Sequence, residues 1–252
     1  MKEFFGIIGG LGPKATVSFY ENIVDRTVAE RDQEHPEFLL FNHTTIPDRT
    51  DYIMDNSMPN PLPYLIEDVK KLSDAKASFI VIPCNTAHYF YEELQRNSAV
   101  PIINMISETA KYIIDYSPDV KKVGILGTPG TLKANLYQKE LEKVDLEPVL
   151  PTDNIQDDVN RLIFDQAKQG TEIDYSLYLD VLKSMLDLGC DTVILGCTEL
   201  SLIDCGVVDH PFPIVDAQAV LAEKSILLSG KQVKKLHADE RNRLVRVAGS
   251  KE

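Results

Sequence analysis

A cysteine-containing segment occurs twice in this 252-residue chain, and this repetition constrains the fold more than any other feature. The first copy, residues 79–86, has the sequence FIVIPCNT, and the second, residues 192–199, has the sequence TVILGCTE. Two further pairs of segments match in the same order, at offsets between 112 and 118 residues: 6–9 with 124–127, and 100–104 with 212–216. Apolar strands ending near glycine are common in α/β proteins, but a cysteine at the same place in both copies is not. We therefore infer a duplicated half.

Short apolar runs alternate with amphipathic stretches along both copies, which predicts strands alternating with helices. The predicted strands are 4–8, 38–41, 78–82, 101–104, 122–126, 147–150, 192–195 and 213–215. The predicted helices are 14–30, 61–72, 87–95, 107–115, 132–144, 154–169 (closed by Gly170), 175–188 and 217–228.

This alternation predicts an α/β fold with parallel sheets flanked by helices. We expect two similar subdomains related by pseudo-two-fold symmetry. Residues 1–106 plus 217–252 form the first, and residues 107–216 form the second. The polar, mainly basic tail from Lys231 is assigned no chemistry.

Cys84 and Cys197 each follow a predicted strand and precede a predicted helix start. Ligands of parallel α/β sheets bind at the carboxyl ends of the strands. The partial positive charge of a helix N-terminus favours a thiolate there, and Thr86 and Thr198 are candidate capping residues. A single cysteine at a strand end is often only a small buried apolar residue, but a matched pair favours reactivity.

Two matched thiols suggest one particular chemistry. Inverting a stereocentre through a planar carbanion requires a base on one face and an acid on the other. Two symmetric halves would place Cys84 and Cys197 opposite each other across a cleft. One thiolate and one thiol, exchanging roles at each turnover, would then invert the stereocentre in both directions.

The motifs PCNTAH at 83–88 and GCTE at 196–199 resemble the two signatures of the aspartate/glutamate racemase family, on the aspartate racemase side. The loop GGLGPKAT at 9–16 is similar to the family's N-terminal loop, with Leu11 where methionine is common. The resemblance spans residues 6–228. It implies a PLP-independent and metal-independent racemase of two α/β subdomains, with the active site between them, and a homodimer.

The departures from the glutamate racemase pattern favour aspartate as the substrate. Glutamate racemases typically carry aspartate in the first loop and histidine after the second Cys-Thr, where this chain has Gly9-Gly10 and Glu199. We place Gly10 and Glu199 in the substrate site on this resemblance. His88, one helical turn after Cys84, is either a helper group or a structural histidine.

A dicarboxylic amino acid also needs cationic partners. Arg49 offers a planar fork for a carboxylate, and by resemblance both Arg49 and Lys168 match carboxylate-binding positions of the family. The alternatives are a surface pairing of Arg49 with Asp48 or Asp51, and a Lys168 that stabilises a helix C-terminus. Further candidates for binding the substrate through hydrogen bonds are Asn85, Thr86 and Thr198, and, less strongly, Thr128 and Thr131.

The net charge of −13 argues against general affinity for nucleic acids or anionic membranes. It also requires any site for an anionic substrate to be locally positive. No apolar run approaches the roughly 20 residues that span a bilayer, and residues 1–10 are too short for a secretory signal. We therefore expect a cytoplasmic protein with its four cysteines, Cys84, Cys190, Cys197 and Cys205, reduced rather than paired in disulfides.

Other functions fit the sequence less well. The pattern Gly-x-Gly-x-x-Ala at 10–15 is formally a dinucleotide motif, but no acidic residue follows the next strand. A zinc site built from Cys190, Cys197, Cys205 and His210 lacks any Cys-x-x-Cys pair. Three alternatives stay open: a glutamate or broad-specificity amino-acid racemase, a carbanion-forming isomerase of the same superfamily, and a non-catalytic amino-acid sensor.

Overall fold

Two parallel β-sheets form the framework of the protein in a computed structural model that describes residues 3–207 and 210–234. The first sheet has the order β2-β1-β3, with β1 at Phe5–Gly9, β2 at Phe38–Asn42 and β3 at Ile80–Val81. The second has the order β5-β4-β6-β7, with β4 at Lys122–Gly127, β5 at Glu147–Val149, β6 at Thr192–Gly196 and β7 at Ile214–Asp216. Every strand pair is parallel, as the sequence predicts.

Helices connect and flank these strands. The α-helices are α1 (Pro13–Arg26), α2 (Arg49–Met54), α3 (Leu62–Asp74), α4 (Tyr91–Arg96), α5 (Met105–Tyr116), α6 (Pro129–Lys133), α7 (Leu136–Glu142), α8 (Asp153–Asn160), α9 (Tyr175–Asp187), α10 (Thr198–Cys205) and α11 (Ala217–Leu228). Shorter helical turns are the 3₁₀ helices Asp32–Glu34 and Thr86–Phe90 and the π-helix Arg161–Ala167. Gly170 has a φ of +69°, the left-handed conformation expected after a helix end.

The two sheets repeat one arrangement, because the first strand of each copy lies at the centre between the second and the third. All residues of β1 and β6 are buried, which explains their unbroken apolar sequences. The segment corresponding to β7 in the first sheet is reduced to one parallel bridge between Ile80 and Ile102. The predicted strand 101–104 stops there because the Ile102 N–H donates to Gln95 and Asn104 already caps α5.

Four predicted helices differ from those observed. The helix predicted over 87–95 begins as the 3₁₀ helix Thr86–Phe90 and continues as α4. The helix predicted over 14–30 ends at Arg26 because Thr27 pairs with Val233 of the C-terminal segment, so the start of the predicted tail is ordered. The helix predicted over 132–144 divides into α6 and α7 at Asn135, which has a φ of 53°. The helix predicted over 154–169 begins as α8 and continues as the π-helix. Residues 235–252 of the tail lie outside the described residues.

One apolar core joins the two sheets. Its members include Phe5 of β1, Phe19 of α1, Ile125 of β4 and Leu221 of α11. Helix α11 packs against both α1 and α5. The division into residues 1–106 plus 217–252 and residues 107–216 stays a prediction. Within the described ranges, no helix has the length and apolar character to cross a membrane.

Candidate active site

A small pocket opens at the carboxyl ends of strands from both sheets. Its walls come from the loops after β1, β2, β3, β4 and β6 and from the end of the π-helix. The lining residues are Leu11, Asp48, Arg49, Thr50, Cys84, Asn85, Thr86, Thr128, Lys168, Cys197, Thr198 and Glu199.

Cys84 and Cys197 both line this pocket, although 112 residues separate them in the chain. Each exposes 6% of its surface, and both are free thiols. Their convergence follows from the fold, because the loops after β3 and β6 lie at the same end of the two sheets. Cys190 is also a free thiol, and neither Cys190 nor Cys205 lines this pocket. No group of three or more His, Cys, Asp or Glu residues is placed for metal binding within the described ranges.

Cys197 sits at the N-cap position of α10, beside a buried carboxylate. Its Sγ–H donates to Glu199 Oε2 at 3.0 Å, and the Thr198 hydroxyl donates to the same oxygen at 3.3 Å. Burial, followed by the charge and the hydrogen bond of Glu199, raises the pKa of the Cys197 thiol well above its usual range. The expectation that the helix N-terminus makes this cysteine a thiolate is therefore wrong for Cys197, because the carboxylate and burial outweigh the helix.

Cys84 precedes the 3₁₀ helix Thr86–Phe90, and His88 of that helix holds its backbone. His88 Nδ1 donates to the Cys84 carbonyl at 2.9 Å, and Nε2 accepts the Met105 N–H at 3.1 Å. Burial lowers the pKa of His88, which favours the neutral ring that this bonding pattern needs. Both ring nitrogens are thus engaged with backbone, which favours the structural interpretation of His88.

The two predicted capping threonines do not cap. Asn85 and Cys197 occupy the N-cap positions of the two helices instead. The Thr86 hydroxyl lies 3.0 Å from that of Thr128 and 2.9 Å from that of Thr131. These hydroxyls are better placed to bond with one another and with a ligand than with a helix N-terminus.

A fourth hydroxyl, which the sequence did not single out, extends this cluster. Thr50 of α2 donates to Thr128 at 3.1 Å and lines the pocket. The contact depends on Gly130, because a Cβ there would lie 3.0 Å from the Thr50 Cα. The hydroxyl cluster therefore joins α2 of the first half to α6 of the second.

Arg49 is buried in the pocket wall and exposes 8% of its surface. Its guanidinium donates to the carbonyls of Leu11 at 2.9 Å, Pro47 at 3.1 Å and Ile46 at 3.4 Å, while its Nε has no hydrogen-bond partner among the described residues. The fork is thus held by backbone and not by the surface pairing with Asp48 or Asp51 that was the alternative.

Lys168, the predicted second cation, is already partly neutralised. Its Nζ lies 3.3 Å from Asp48 Oδ2 and 4.6 Å from the centre of the Phe164 ring. Burial alone would lower the pKa of Lys168, but the Asp48 and Glu199 carboxylates outweigh it and raise that pKa. Burial of Asp48 is likewise outweighed by Lys168 and Arg49, which hold its pKa below the usual range. Sequence reasoning considered Asp48 only as a partner of Arg49.

Gly10 lines an adjoining cavity and not the pocket itself. Its φ of +88° and the approach of the His43 backbone, 2.6 Å from where a Cβ would lie, both require glycine. The adjoining cavity shares Leu11, Arg49, Lys168 and Glu199 with the pocket. Gly10 therefore shapes the loop beside the site and does not contact it directly.

Asn85 lines the pocket next to Cys84, and its partner was not found from the sequence. Tyr137 of α7 donates its phenol hydroxyl to Asn85 Oδ1. Tyr137 lies in the predicted helix 132–144, where an aromatic side chain is expected only to pack in the core. No local pattern signals a contact between residues 52 positions apart.

Comparisons with known proteins show which family the chain is similar to. The family model described as Asp/Glu/hydantoin racemase matches residues 8–224. The broad specificity amino-acid racemase RacX of Bacillus subtilis is 32% identical over 229 residues, which cover 88% of this chain and 96% of that protein. The glutamate racemase of Aquifex pyrophilus is 28% identical over 151 residues, which cover 56% of this chain and 53% of that protein.

Solved structures resemble the whole described fold. The aspartate racemase of Picrophilus torridus superposes with a TM-score of 0.79 at 30% identity, covering 92% of this chain and 96% of its own. An aspartate racemase homologue from Pyrococcus horikoshii superposes with a TM-score of 0.71 at 28% identity, covering 91% of this chain and 100% of its own.

Proposed function

The chain belongs to the Asp/Glu/hydantoin racemase family, a superfamily of cofactor-independent amino-acid racemases, and we propose that it interconverts L- and D-aspartate through Cys84 and Cys197. One observation carries the proposal: both thiols, from corresponding strand ends of the two sheets, line the same pocket. A substrate Cα between them would meet one sulfur on each face, as two-base proton transfer requires.

The two thiols begin the reaction in different states. Cys197 is a protonated thiol, because burial and Glu199 raise its pKa. In one direction Cys84 as thiolate removes the Cα proton, and Cys197 delivers its own proton to the opposite face. That turnover leaves Cys84 protonated and Cys197 as a thiolate, which are the states that the other direction needs. Free enzyme reaches the same states when Glu199, which accepts the Sγ–H bond, takes the Cys197 proton and Cys84 gains a proton from solvent. The carbanion spreads its charge into the α-carboxylate as an enediolate, which backbone N–H groups at the starts of the two helices stabilise.

The charged lining favours a dicarboxylic substrate. Arg49 carries a charge that is held by carbonyls and not paired with a carboxylate of the described residues, so it is available to a substrate carboxylate. Lys168 offers a second cation after release from Asp48. Hydrogen bonds from Asn85, Thr86 and Thr198 complete the binding. The resemblance to the two aspartate racemase structures supports the same substrate.

A broad-specificity racemase is the second candidate, and three observations favour it. RacX matches 88% of this chain. The pairing of Lys168 with Asp48 also reduces the positive charge that a second substrate carboxylate would meet. The adjoining cavity, lined by Lys14 and Gln169 among others, gives room for longer side chains. On this alternative, neutral or longer amino acids would be racemised at rates comparable to aspartate.

Circular dichroism tests the proposal directly. L-aspartate, L-glutamate and a panel of neutral and basic L-amino acids are incubated with the protein, without PLP and with a metal chelator. The proposal expects the aspartate signal to decay to zero, at the highest kcat/KM of the panel, and the C84A/C197A double variant to leave it unchanged. Equal decay across the panel would favour broad specificity. Saturable binding without decay would support an amino-acid sensor and overturn the racemase.

The resemblance further implies a homodimer, and the hydropathy of the sequence favours a cytoplasmic location; we keep both as predictions. Sedimentation equilibrium tests the first, with a mass of twice 28.2 kDa expected. A monomer that racemises aspartate at an unchanged specific activity over a wide dilution range would contradict it.

A further inference from the structure

A tyrosine from the second half of the chain reaches across to the residue that follows Cys84. Tyr137 of α7 is completely buried, and its hydroxyl donates to Asn85 Oδ1. The end of β6 holds the ring in place, because a Cβ on Gly196 would lie only 3.0 Å from Tyr137 Cε2. Tyr137 itself is absent from the pocket lining, so it reaches the pocket only through Asn85.

The other end of the Asn85 amide has no partner. Asn85 exposes 2% of its surface and lines the pocket, yet its Nδ2 has no hydrogen-bond partner in the part of the chain that the structure describes. A buried amide N–H₂ left unpaired is unfavourable. A ligand oxygen would satisfy it, and a carboxylate oxygen would do so most strongly because the bond is charge-assisted.

The two ends of an amide differ chemically although they have almost the same shape. The oxygen only accepts and the nitrogen only donates, so a rotation by 180° exchanges a donor for an acceptor at the pocket. A phenol that donates to the oxygen opposes this rotation, because the bond is broken and the phenol proton must turn away before the amide N–H₂ can take its place. Burial raises the pKa of Tyr137 far above its usual range, so the phenol keeps its proton over the whole working pH range.

We propose that Tyr137 is a positioning residue: its hydroxyl holds the Asn85 amide so that Nδ2 faces the pocket and donates to a substrate carboxylate. The proposal rests on the proposed function, because it takes the ligand to be an amino acid. In the Tyr137→Phe variant the ring still fills its space, but the amide is free to turn its oxygen toward the substrate. Substrate binding is weakened, while the two thiols are untouched.

A double-mutant cycle tests this with racemisation of L-aspartate as the readout. Asn85→Ala is expected to raise KM about tenfold or more, and Tyr137→Phe about three- to tenfold, with kcat within about twofold of wild type. If Tyr137 acts through Asn85, adding Tyr137→Phe to Asn85→Ala changes KM by less than about twofold. If Tyr137 had only a structural role, Tyr137→Phe would raise KM by the same factor in the wild-type and the Asn85→Ala backgrounds.

Tyr178→Phe is the matched control. Tyr178 is also completely buried and donates its hydroxyl to a side chain, Asp204, but it lies outside the pocket. This variant should keep the wild-type KM, and thermal melting of all variants reports any loss of folding. An unchanged KM in Tyr137→Phe, or an equal increase in Tyr178→Phe, overturns the positioning role.

The two proposals fail in different ways. If wild type racemises aspartate and the cycle shows no coupling between Tyr137 and Asn85, only the positioning role is lost. If wild type racemises none of the amino acids, the proposed function is lost, and the same variants are compared by titration calorimetry with L-aspartate. The positioning role would still be supported if Tyr137→Phe weakens binding in the wild-type background but causes no further loss in the Asn85→Ala background. Absence of binding by wild type would overturn both.

Discussion

Cys84 and Cys197 occupy corresponding places in a duplicated fold, yet their surroundings differ. Cys197 caps an α-helix and donates to the Glu199 carboxylate at 3.0 Å. Cys84 precedes a 3₁₀ helix and has no side-chain hydrogen bond to its sulfur among the described residues, while His88 ties down its carbonyl. Duplication thus explains where the thiols are, while burial and the carboxylate that follows Cys197 raise the pKa of that thiol.

The cationic side chains of the two halves also differ in their surroundings. Arg49, from the first half, is held by three backbone carbonyls. Lys168, from the second half, is paired with the Asp48 carboxylate. Both cations lower the pKa of Asp48, but only Lys168 forms a salt bridge with that carboxylate among the described residues. Variants of each thiol and of each cation test whether these differences have the consequences that we assign to them.

The largest effect is expected from removing either thiol. Cys84→Ala and Cys197→Ala should each lower the rate of racemisation by about 10²- to 10⁴-fold, because each removes the acid or the base of one face. Each variant should still exchange the Cα proton of one enantiomer with solvent. Because Cys197 is held as a thiol, exchange at pH 7 should be slower in Cys84→Ala, where Cys197 remains, than in Cys197→Ala. NMR in D₂O measures both rates.

Cys190→Ala is the control for these variants, since Cys190 is buried but lies outside the pocket. It should racemise within about twofold of wild type, because no reacting group is changed. Full racemisation by either pocket variant would contradict the assignment of the two thiols.

The next largest effect concerns the cations. Arg49→Lys should lower kcat/KM for aspartate by about 10- to 100-fold, because an ammonium cannot hold three carbonyls and also present a fork to a carboxylate. Lys168→Met should lower it by about tenfold or less, since its charge is already shared with Asp48. Lys133→Met, which removes a lysine bonded only to the Met54 carbonyl, is the control. A greater loss in Lys168→Met than in Arg49→Lys would reverse the comparison.

A smaller effect, on pH dependence, is expected from Glu199→Gln. Removing a negative charge beside a thiol lowers the thiol pKa, so the thiolate forms at lower pH. The rate of alkylation of Cys197 by iodoacetamide, followed by peptide mass spectrometry, should therefore rise at lower pH in the variant than in wild type. The profile of Cys84 should not move. Equal movement of both profiles, or of neither, would argue that Glu199 does not distinguish the thiols.

The smallest effect on activity is expected at the contact between the two halves. In Gly130→Ala the new Cβ would lie 3.0 Å from the Thr50 Cα, so α2 and α6 must move apart slightly. We expect a loss of about 1–2 kcal/mol in the free energy of unfolding, measured by urea denaturation, with racemisation reduced only a few-fold. An unchanged stability would mean that the two helices are not closely packed there.

Much of the fold could be predicted because apolar runs bounded by glycine and proline mark buried parallel strands. Strands β1, β2, β4 and β6 and helix α11 begin and end within one or two residues of the predicted positions. Where the predicted helices are wrong, the cause is a backbone conformation or a contact that the hydrophobic pattern does not reveal. The left-handed Asn135 interrupts a periodic helix, and Thr27 leaves α1 to pair with a segment about 200 residues away.

The candidate site was predictable where it follows the repeat. The strand ends place Cys84 and Cys197 together, and chemistry identifies Arg49. Three features depend on contacts between distant residues and left no trace in the sequence: the pair Asp48–Lys168, the bond from Tyr137 to Asn85, and the hydroxyl cluster that includes Thr50. The ionisation of Cys197 was predicted in the wrong direction because a helix N-terminus was weighed without the carboxylate two residues later.

Isotope incorporation during the first turnovers in D₂O is the most direct test of two thiols acting on opposite faces of one carbon. Starting from L-aspartate, our account predicts that the D-aspartate formed early carries solvent deuterium at Cα, while the remaining L-aspartate carries almost none. The same pattern should hold with the enantiomers exchanged. Early product that retains the original proton, or remaining substrate that gains deuterium as fast as product forms, would indicate a single base and contradict the account.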